Sequence, residues 1–252
     1  MDAQIIDTEA ILADRDGWQK MLNGCPKAFS TIDPGGRIGI FANGDFLLPQ
    51  DILPGDVLIA ADGGARHLMK LGLTPGWVIG DMDSLTAPEC VALEDAGAKL
   101  ITYPTRKDET DLELALHKAR GFQPEEIVIY AALGARWDMT FANLLLLAHP
   151  ALSEFNTRLI DGTQELRVLQ SGQHMQIDGA PGDTLSLIPL RGDAVGVSTH
   201  GLEYALEGDT LIFGAARGVS NVLYDTRATI TLRRGLLLVV HIRQDGSVAP
   251  QH

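Results

Sequence analysis

Apolar residues in the first two-thirds of the chain come in short runs, and most neighbouring runs are separated by stretches of helical periodicity. The runs predict strands over 37–41, 57–60, 77–79, 99–102, 127–130 and 158–160. The stretches between them predict helices over 65–71, 88–96, 112–120 and 140–148. Thr110 and Glu113 have the spacing of a capping box, and Leu112, Ala115, Leu116 and Ala119 form an apolar stripe behind it. Strand and helix alternating in this way imply right-handed crossovers and an α/β unit with a doubly wound, Rossmann-like parallel sheet.

The texture changes after about residue 164. Runs at 185–190, 211–213, 228–232 and 236–242 are short and β-rich, with Gly, Asp and Pro punctuating them at intervals of roughly ten residues. This spacing predicts an all-β C-terminal sandwich. Residues 1–36 read as an extension, with an amphipathic helix over 10–22 broken by Asp33-Pro34-Gly35-Gly36. The expected division is therefore 1–36, 37–165 and 166–252.

Composition narrows the function. A net charge of −13 without a basic block argues against a nucleic-acid or anionic-membrane surface. Cys25 and Cys90 have no metal-ligand spacing and read as reduced thiols. The seven histidines show no ligand spacing either. Asp2, Asp7 and Glu9 stand where a signal peptide would be basic and then apolar, and no apolar run approaches a membrane span. The chain reads as cytoplasmic.

The candidate chemistry lies in the turns that follow the predicted strands. These turns meet at one edge of an open parallel sheet, where ligands bind. Three are rich in aspartate: Ala61-Asp62-Gly63-Gly64, Gly80-Asp81-Met82-Asp83-Ser84 and Lys107-Asp108-Glu109-Thr110-Asp111. Converging carboxylates repel unless a cation lies between them, and hard oxygen donors suit Mg²⁺ together with substrate phosphates. Asp81 and Asp83, two apart in extended backbone, point to the same side. The same residues also suit an ordinary turn in which Asp accepts backbone N–H bonds. Helix capping accounts for Thr110 and Asp111, and Lys107 is either a phosphate contact or a solvated lysine. The glycines of Asp62-Gly63-Gly64 can expose N–H groups, and Asn43-Gly44-Asp45 is a similar turn. Arg136 and Asp138, in Gly134-Ala135-Arg136-Trp137-Asp138, are either a phosphate-charge stabiliser with its partner or a surface ion pair.

In this order, the motifs resemble thiamine pyrophosphokinase. The family's strand ending in Asn-Gly, its Ala-Asp-Gly-Gly, Gly-Asp-x-Asp-Ser, Lys/Gln-Asp-x-Thr-Asp and Gly-x-Arg-x-Asp are matched at Asn43-Gly44, Ala61 to Gly64, Gly80 to Ser84, Lys107 to Asp111 and Gly134 to Asp138. Its β-domain Ser-Asn pair is matched by Ser220-Asn221. The resemblance implies transfer of pyrophosphate from ATP to thiamine, giving thiamine diphosphate and AMP. It implies Mg²⁺ on Asp81, Asp83 and Asp111, with Asp108 nearby, and a catalytic role for Arg136 and Asp138. Asn43, Asp62, Gly63, Gly64, Lys107, Thr110 and Arg136 would line the nucleotide, and Ser220 and Asn221 would hold the pyrimidine end of thiamine. It further implies a homodimer whose active sites lie between subunits. On the acceptor side the chain departs from the usual pattern at Met139 and Val222, and no Trp follows Trp137, leaving Tyr204 or Phe213 as the available aromatics. A pyrophosphokinase for another heteroaromatic alcohol, such as a pterin, and a non-catalytic nucleotide- or thiamine-binding protein are the alternative readings.

Overall fold

The computed structural model describes residues 36–47, 52 and 56–244. The expected N-terminal extension and its helix over 10–22 lie outside the described residues. The chain opens with β1 (Arg37–Phe41), β2 (Val57–Ala61), α1 (Ala65–Leu71), β3 (Trp77–Gly80), α2 (Ala87–Asp95), β4 (Lys99–Thr102), α3 (Asp111–Arg120), β5 (Glu126–Tyr130), α4 (Trp137–Leu146) and β6 (Asn156–Asp161). It continues with β7 (Gln164–Gln170), β8 (His174–Asp178), β9 (Thr184–Pro189), β10 (Ala194–His200), β11 (Glu207–Leu211), β12 (Asn221–Val222), β13 (Arg227–Arg234) and β14 (Leu236–Ile242).

β1 to β6 pair in parallel. Their side chains alternate between two apolar clusters, as a sheet covered on both faces requires. Ile38, Ile40, Ile59, Ile127 and Ile129 pack with Leu112, Ala115 and Ala119 of α3. Phe41, Leu58, Val78, Val128 and Tyr130 pack on the other side with Leu68 of α1 and Leu93 of α2.

The sheet does not stop where the sequence texture changes. β6 turns through Gly162 into antiparallel β7, and the ten strands run in the order β12-β9-β14-β7-β6-β5-β1-β2-β3-β4. The sheet is thus mixed, not purely parallel. A separate antiparallel sheet has the order β11-β10-β13-β8. Leu169, Leu185, Leu187, Leu237 and Val239 of the large sheet share one cluster with Ile177, Val197, Ile230 and Leu232 of the small one.

An ion-pair chain crosses the edge opposite the acidic turns. Arg37 bridges Asp56 at 3.0 Å and Glu126 at 3.5 Å. Arg158 bridges Glu126 at 2.9 Å and Glu165 at 3.4 Å. Glu165 also meets Arg167 and, at 3.2 Å, Arg243. Among the described residues no helix is long and apolar enough to cross a membrane.

Candidate active site at the acidic sheet edge

The strand order reverses at β1, whose neighbours are β5 and β2. In open α/β sheets ligands bind outside the carboxyl ends of the strands at this switch point. The turn after β1 is pinned there: Gly44 N–H donates to the Ala131 carbonyl at 2.7 Å and Asp45 N–H to that of Leu133 at 2.7 Å. Exposed Asn43 donates from Nδ2 to Ser84 Oγ at 3.4 Å, which ties this turn to the one after β3.

After β2 the chain makes a 3-10 turn, Asp62–Gly64, and α1 follows. Gly64 is required by its neighbours, because a Cβ there would lie 2.1 Å from the Phe41 carbonyl oxygen. Asp62 adopts φ 44° and is 4% exposed. Its Oδ1 is buried without a hydrogen-bond partner. The turn after β3 brings Asp81 and Asp83 beside it. One oxygen from each of Asp62, Asp81 and Asp83 lies within 4.8 Å of the others. Gly80 makes this approach possible, since a Cβ there would come within 2.8 Å of Asp62 Cβ and 3.1 Å of Asp111 Cγ. Asp83 N–H donates to Asp81 Oδ1 at 3.1 Å and, helped by Lys107, holds the Asp81 carboxyl below its ordinary range.

Lys107 sets its Nζ 3.0 Å from Asp111 Oδ1 and 4.0 Å from Asp81 Oδ2. Burial pulls the ammonium pKa down, but Asp111 and Asp81 outweigh it, and the net shift is upward. Burial pushes the Asp111 carboxyl up, Asp62 and Asp81 push it the same way, and Lys107 opposes them. Thr110 caps α3, its Oγ1 accepting from Glu113 N–H at 3.2 Å. The fully reciprocal capping box is instead at Thr86 and Glu89 on α2. Asp108 is exposed on the same turn as Lys107.

Thus Asp62, Asp81 and Asp83 form one cluster, with Lys107 and Asp111 against it and Gly63, Gly64, Asn43 and Thr110 on the same edge. Asp62 stands inside the carboxylate cluster, and Asp111, which the motif reading sets with Asp81 and Asp83, lies against it with its Oδ1 likewise buried and without a hydrogen-bond partner. Ser84, absent from that reading, links Asn43 to Asp83 by donating to Asp83 Oδ1 at 3.3 Å. Arg136 and Asp138 pair with each other at the exposed start of α4. No ion pair among the described residues joins either to the cluster.

Ser220 and Asn221 lie elsewhere. Ser220 takes φ 61° and donates its N–H to Ser186 Oγ at 3.0 Å. Asn221 Oδ1 accepts from Tyr204 N–H at 3.0 Å and Val222 N–H at 2.9 Å, while Nδ2 donates to the Tyr204 carbonyl at 2.7 Å. β12 is eight strand steps from β3 in the large sheet. At about 4.8 Å per step, Asn221 is roughly 38 Å from the aspartates measured along the sheet.

A carboxylate trio that could hold a divalent cation, set at the switch point of a parallel sheet, is the kind of site found in α/β enzymes that handle phosphate groups. Residues 52–159 match the family described as thiamin pyrophosphokinase, catalytic domain, and residues 172–237 match thiamin pyrophosphokinase, vitamin B1 binding domain. Thiamine pyrophosphokinase of Bacillus subtilis is 30% identical over 182 residues, covering 72% of this chain and 85% of the relative. A crystal structure of that enzyme from Bacillus subtilis superposes with a TM-score of 0.75 at 29% identity, over 82% of this chain and 99% of that one. The yeast enzyme shares the fold, with a TM-score of 0.66 at 17% identity over 84% of this chain and 88% of that one. The chain belongs to the thiamine pyrophosphokinase family.

Proposed function

We propose that the protein transfers pyrophosphate from ATP to the hydroxyl of thiamine, releasing AMP, and that it works as a cytoplasmic homodimer. The observation that carries this reading is the buried, partnerless Asp62 Oδ1 among the oxygens of Asp81 and Asp83. Three carboxylates so placed fit Mg²⁺. When bound, the ion supplies charge neutralisation for the phosphate oxygens. Asp81, Asp83 and Asp111 would hold it, with Asp62 completing the group of carboxylates.

Around that centre the chain's own groups bind and orient. Lys107 offers a point charge to phosphate oxygens. Asn43, Gly63, Gly64 and Thr110 line the edge where the nucleotide would lie. Arg136, on the exposed start of α4, is free to turn from Asp138 towards a phosphate, with Asp138 holding it meanwhile. In-line placement of the thiamine hydroxyl against the β-phosphorus would supply much of the rate.

The acceptor groups Ser220 and Asn221 belong to the β-rich part, roughly 38 Å away along the sheet. One chain cannot bring both sets to one substrate pair, which supports a site completed by a second copy. Trp137, Phe141 and Leu145 form an exposed apolar stripe along α4 beside the acidic edge, suited to burial in such a contact. The α/β part would then hold nucleotide and metal, and the β-rich part thiamine.

The test is nucleotide chromatography after incubation with Mg·ATP and thiamine, run beside a panel of other heteroaromatic alcohols. AMP formation dependent on thiamine is expected. ADP as the sole product would make the protein an ordinary kinase, and turnover with a pterin alcohol alone would change the acceptor.

A further inference from the structure

Two of the acidic turns are built on costly backbone. Asp62 takes φ 44° and Met82, between Asp81 and Asp83, takes φ 63°. A non-glycine residue stays in this left-handed region only where its surroundings hold it there. Each turn runs directly into a helix: Asp62–Gly64 into α1, and residues 81–86 into α2. The two helix starts are tied to each other. Arg66, at the start of α1, donates from Nε to Glu89 Oε1 at 2.7 Å and from a terminal nitrogen to Glu89 Oε2 at 2.9 Å. Glu89 Oε2 also accepts from Thr86 N–H at 2.7 Å and from the Thr86 hydroxyl at 2.8 Å. Thr86 is the N-cap of α2 and closes the turn that carries Asp81 and Asp83. One carboxylate therefore joins the end of that turn to the helix that follows Asp62. Arg66 first, and Thr86 with it, hold the Glu89 pKa at about 2, so this carboxylate stays ionised near neutral pH.

We propose that Arg66 is a positioning residue for the cation site: its bidentate grip on Glu89 locks the Asp81–Asp83 turn against the Asp62 turn, so that carboxylates from both meet the ion without rearranging. The inference rests on the metal reading of this edge and adds to it a residue that is not itself a ligand. Exposed ion pairs usually contribute little, but a bidentate arginine fork inside a hydrogen-bonded network is the exception. The side chains of Arg66 and Glu89 are 39% and 25% exposed, so the pair is open to water and its effect on global stability is small. Its effect on the site has a sign that charge alone does not give. Glu89 chiefly, and Asp62 through space, raise the Arg66 pKa, which places the guanidinium within electrostatic reach of the carboxylates. A positive charge there repels a bound cation. Were charge all that mattered, removing Arg66 would tighten cation binding. Loss of the clamp loosens it instead, because the ion must then order the two turns itself.

The experiment is Mn²⁺ binding to the full chain without nucleotide, read from the free-ion electron paramagnetic resonance signal, so that activity plays no part. Arg66→Met keeps the apolar stem and is expected to weaken binding about threefold or more, the scale of one networked ion pair. Arg66→Lys keeps the charge but not the fork and is expected to weaken binding about twofold. Adding Arg66→Met to Glu89→Gln is expected to cost little beyond Glu89→Gln alone, since both act through one pair. Kinetics of Arg66→Met should show a matching split: the Mg²⁺ concentration for half-maximal rate rises, while kcat at saturating Mg²⁺ stays within about twofold of the wild type. Unchanged or tighter Mn²⁺ binding by an Arg66→Met protein with a native circular dichroism spectrum overturns the proposal. So does Arg66→Lys binding Mn²⁺ as the wild type does, which also decides the matter if Arg66→Met fails to fold. Failure of the metal reading itself looks different: Asp83→Asn would then bind Mn²⁺ as the wild type does, whatever stands at position 66.

Discussion

Asn221 holds Tyr204 by both of its backbone groups: Tyr204 N–H donates to Asn221 Oδ1 at 3.0 Å, and Asn221 Nδ2 donates to the Tyr204 carbonyl at 2.7 Å. Tyr204 itself is 65% exposed. An amide that uses its acceptor and one donor within the chain keeps a single N–H for a substrate. Its main effect is therefore to fix the segment that presents Tyr204. Asn221→Ala should lower stability by about 1 kcal/mol, because the freed backbone groups are partly hydrated. Thiamine affinity should fall about tenfold while ATP affinity holds. Calorimetry with each ligand, with a thermal melt of the same sample, checks this. Equal losses for both ligands would mean general damage to the fold.

Much of this fold is legible in the sequence, for a physical reason. A strand buried on both faces, such as Arg37–Phe41, reads as a nearly unbroken apolar run, and its observed bounds coincide with the expected ones, as do those of the edge strand Lys99–Thr102. β7 was not legible, because it carries Glu165 and Arg167 into an ion-pair chain and so resembles a polar connection. With it went the continuity of the sheet past residue 164. Helix α4 misleads in the opposite way. It buries Thr140 and Asn143, which bond the Gly134 and Ala132 carbonyls at 3.0 Å and 2.7 Å, and exposes Trp137 and Phe141. The aspartate turns are visible as motifs. That Asp62 joins Asp81 and Asp83 while Asp111 faces Lys107 depends on how neighbouring strands register, which composition does not encode.

The carboxylate trio predicts a steep dependence on the cation. Asp83 is exposed and has no buried bond to lose, so Asp83→Asn should keep the native melting temperature. It should lower kcat by about a hundredfold or more, the scale of one preorganised electrostatic contact. Steady-state kinetics of wild type and variant, with and without excess EDTA, provides the check. Wild-type turnover that survives the chelator would remove the metal from the reaction.

Stability should also weaken in mild acid. His241 is 1% exposed and meets Asp183 Oδ2 through Nε2 at 2.8 Å. Burial pushes its imidazole below the ordinary value of 6.5, more than Asp183 raises it. Burial lowers His67 as well. The native state thus holds these rings neutral, and unfolding takes up protons below pH 6.5. With the folded pKa depressed, this contribution is fully present above about pH 6.5 and is lost as the pH falls towards the folded values. The melting temperature should decline from pH 7.5 to pH 5, and His241→Gln should flatten that decline. A slope unchanged by the substitution would assign the acid sensitivity to other groups.

The distance between the two halves of the site allows a test in mixed dimers. Asp83 and Asn221 are separated by eight strand steps of one sheet, roughly 38 Å along it. In a symmetric dimer with sites between subunits, each site takes its aspartates from one copy and its acceptor segment from the other. Asp83→Asn then damages one half of both sites in its own homodimer, and Asn221→Ala, assayed at low thiamine, damages the other half. In a heterodimer of the two variants the lesions fall together in one site and leave the second intact. Random exchange of equal amounts makes half the dimers mixed, so about a quarter of wild-type activity should appear where neither parent has much. The rise should follow subunit exchange in time and vanish if the two proteins are mixed without it. If each site were built within one chain, every chain in the mixture would still carry a lesion, and activity would stay at the mean of the two parents.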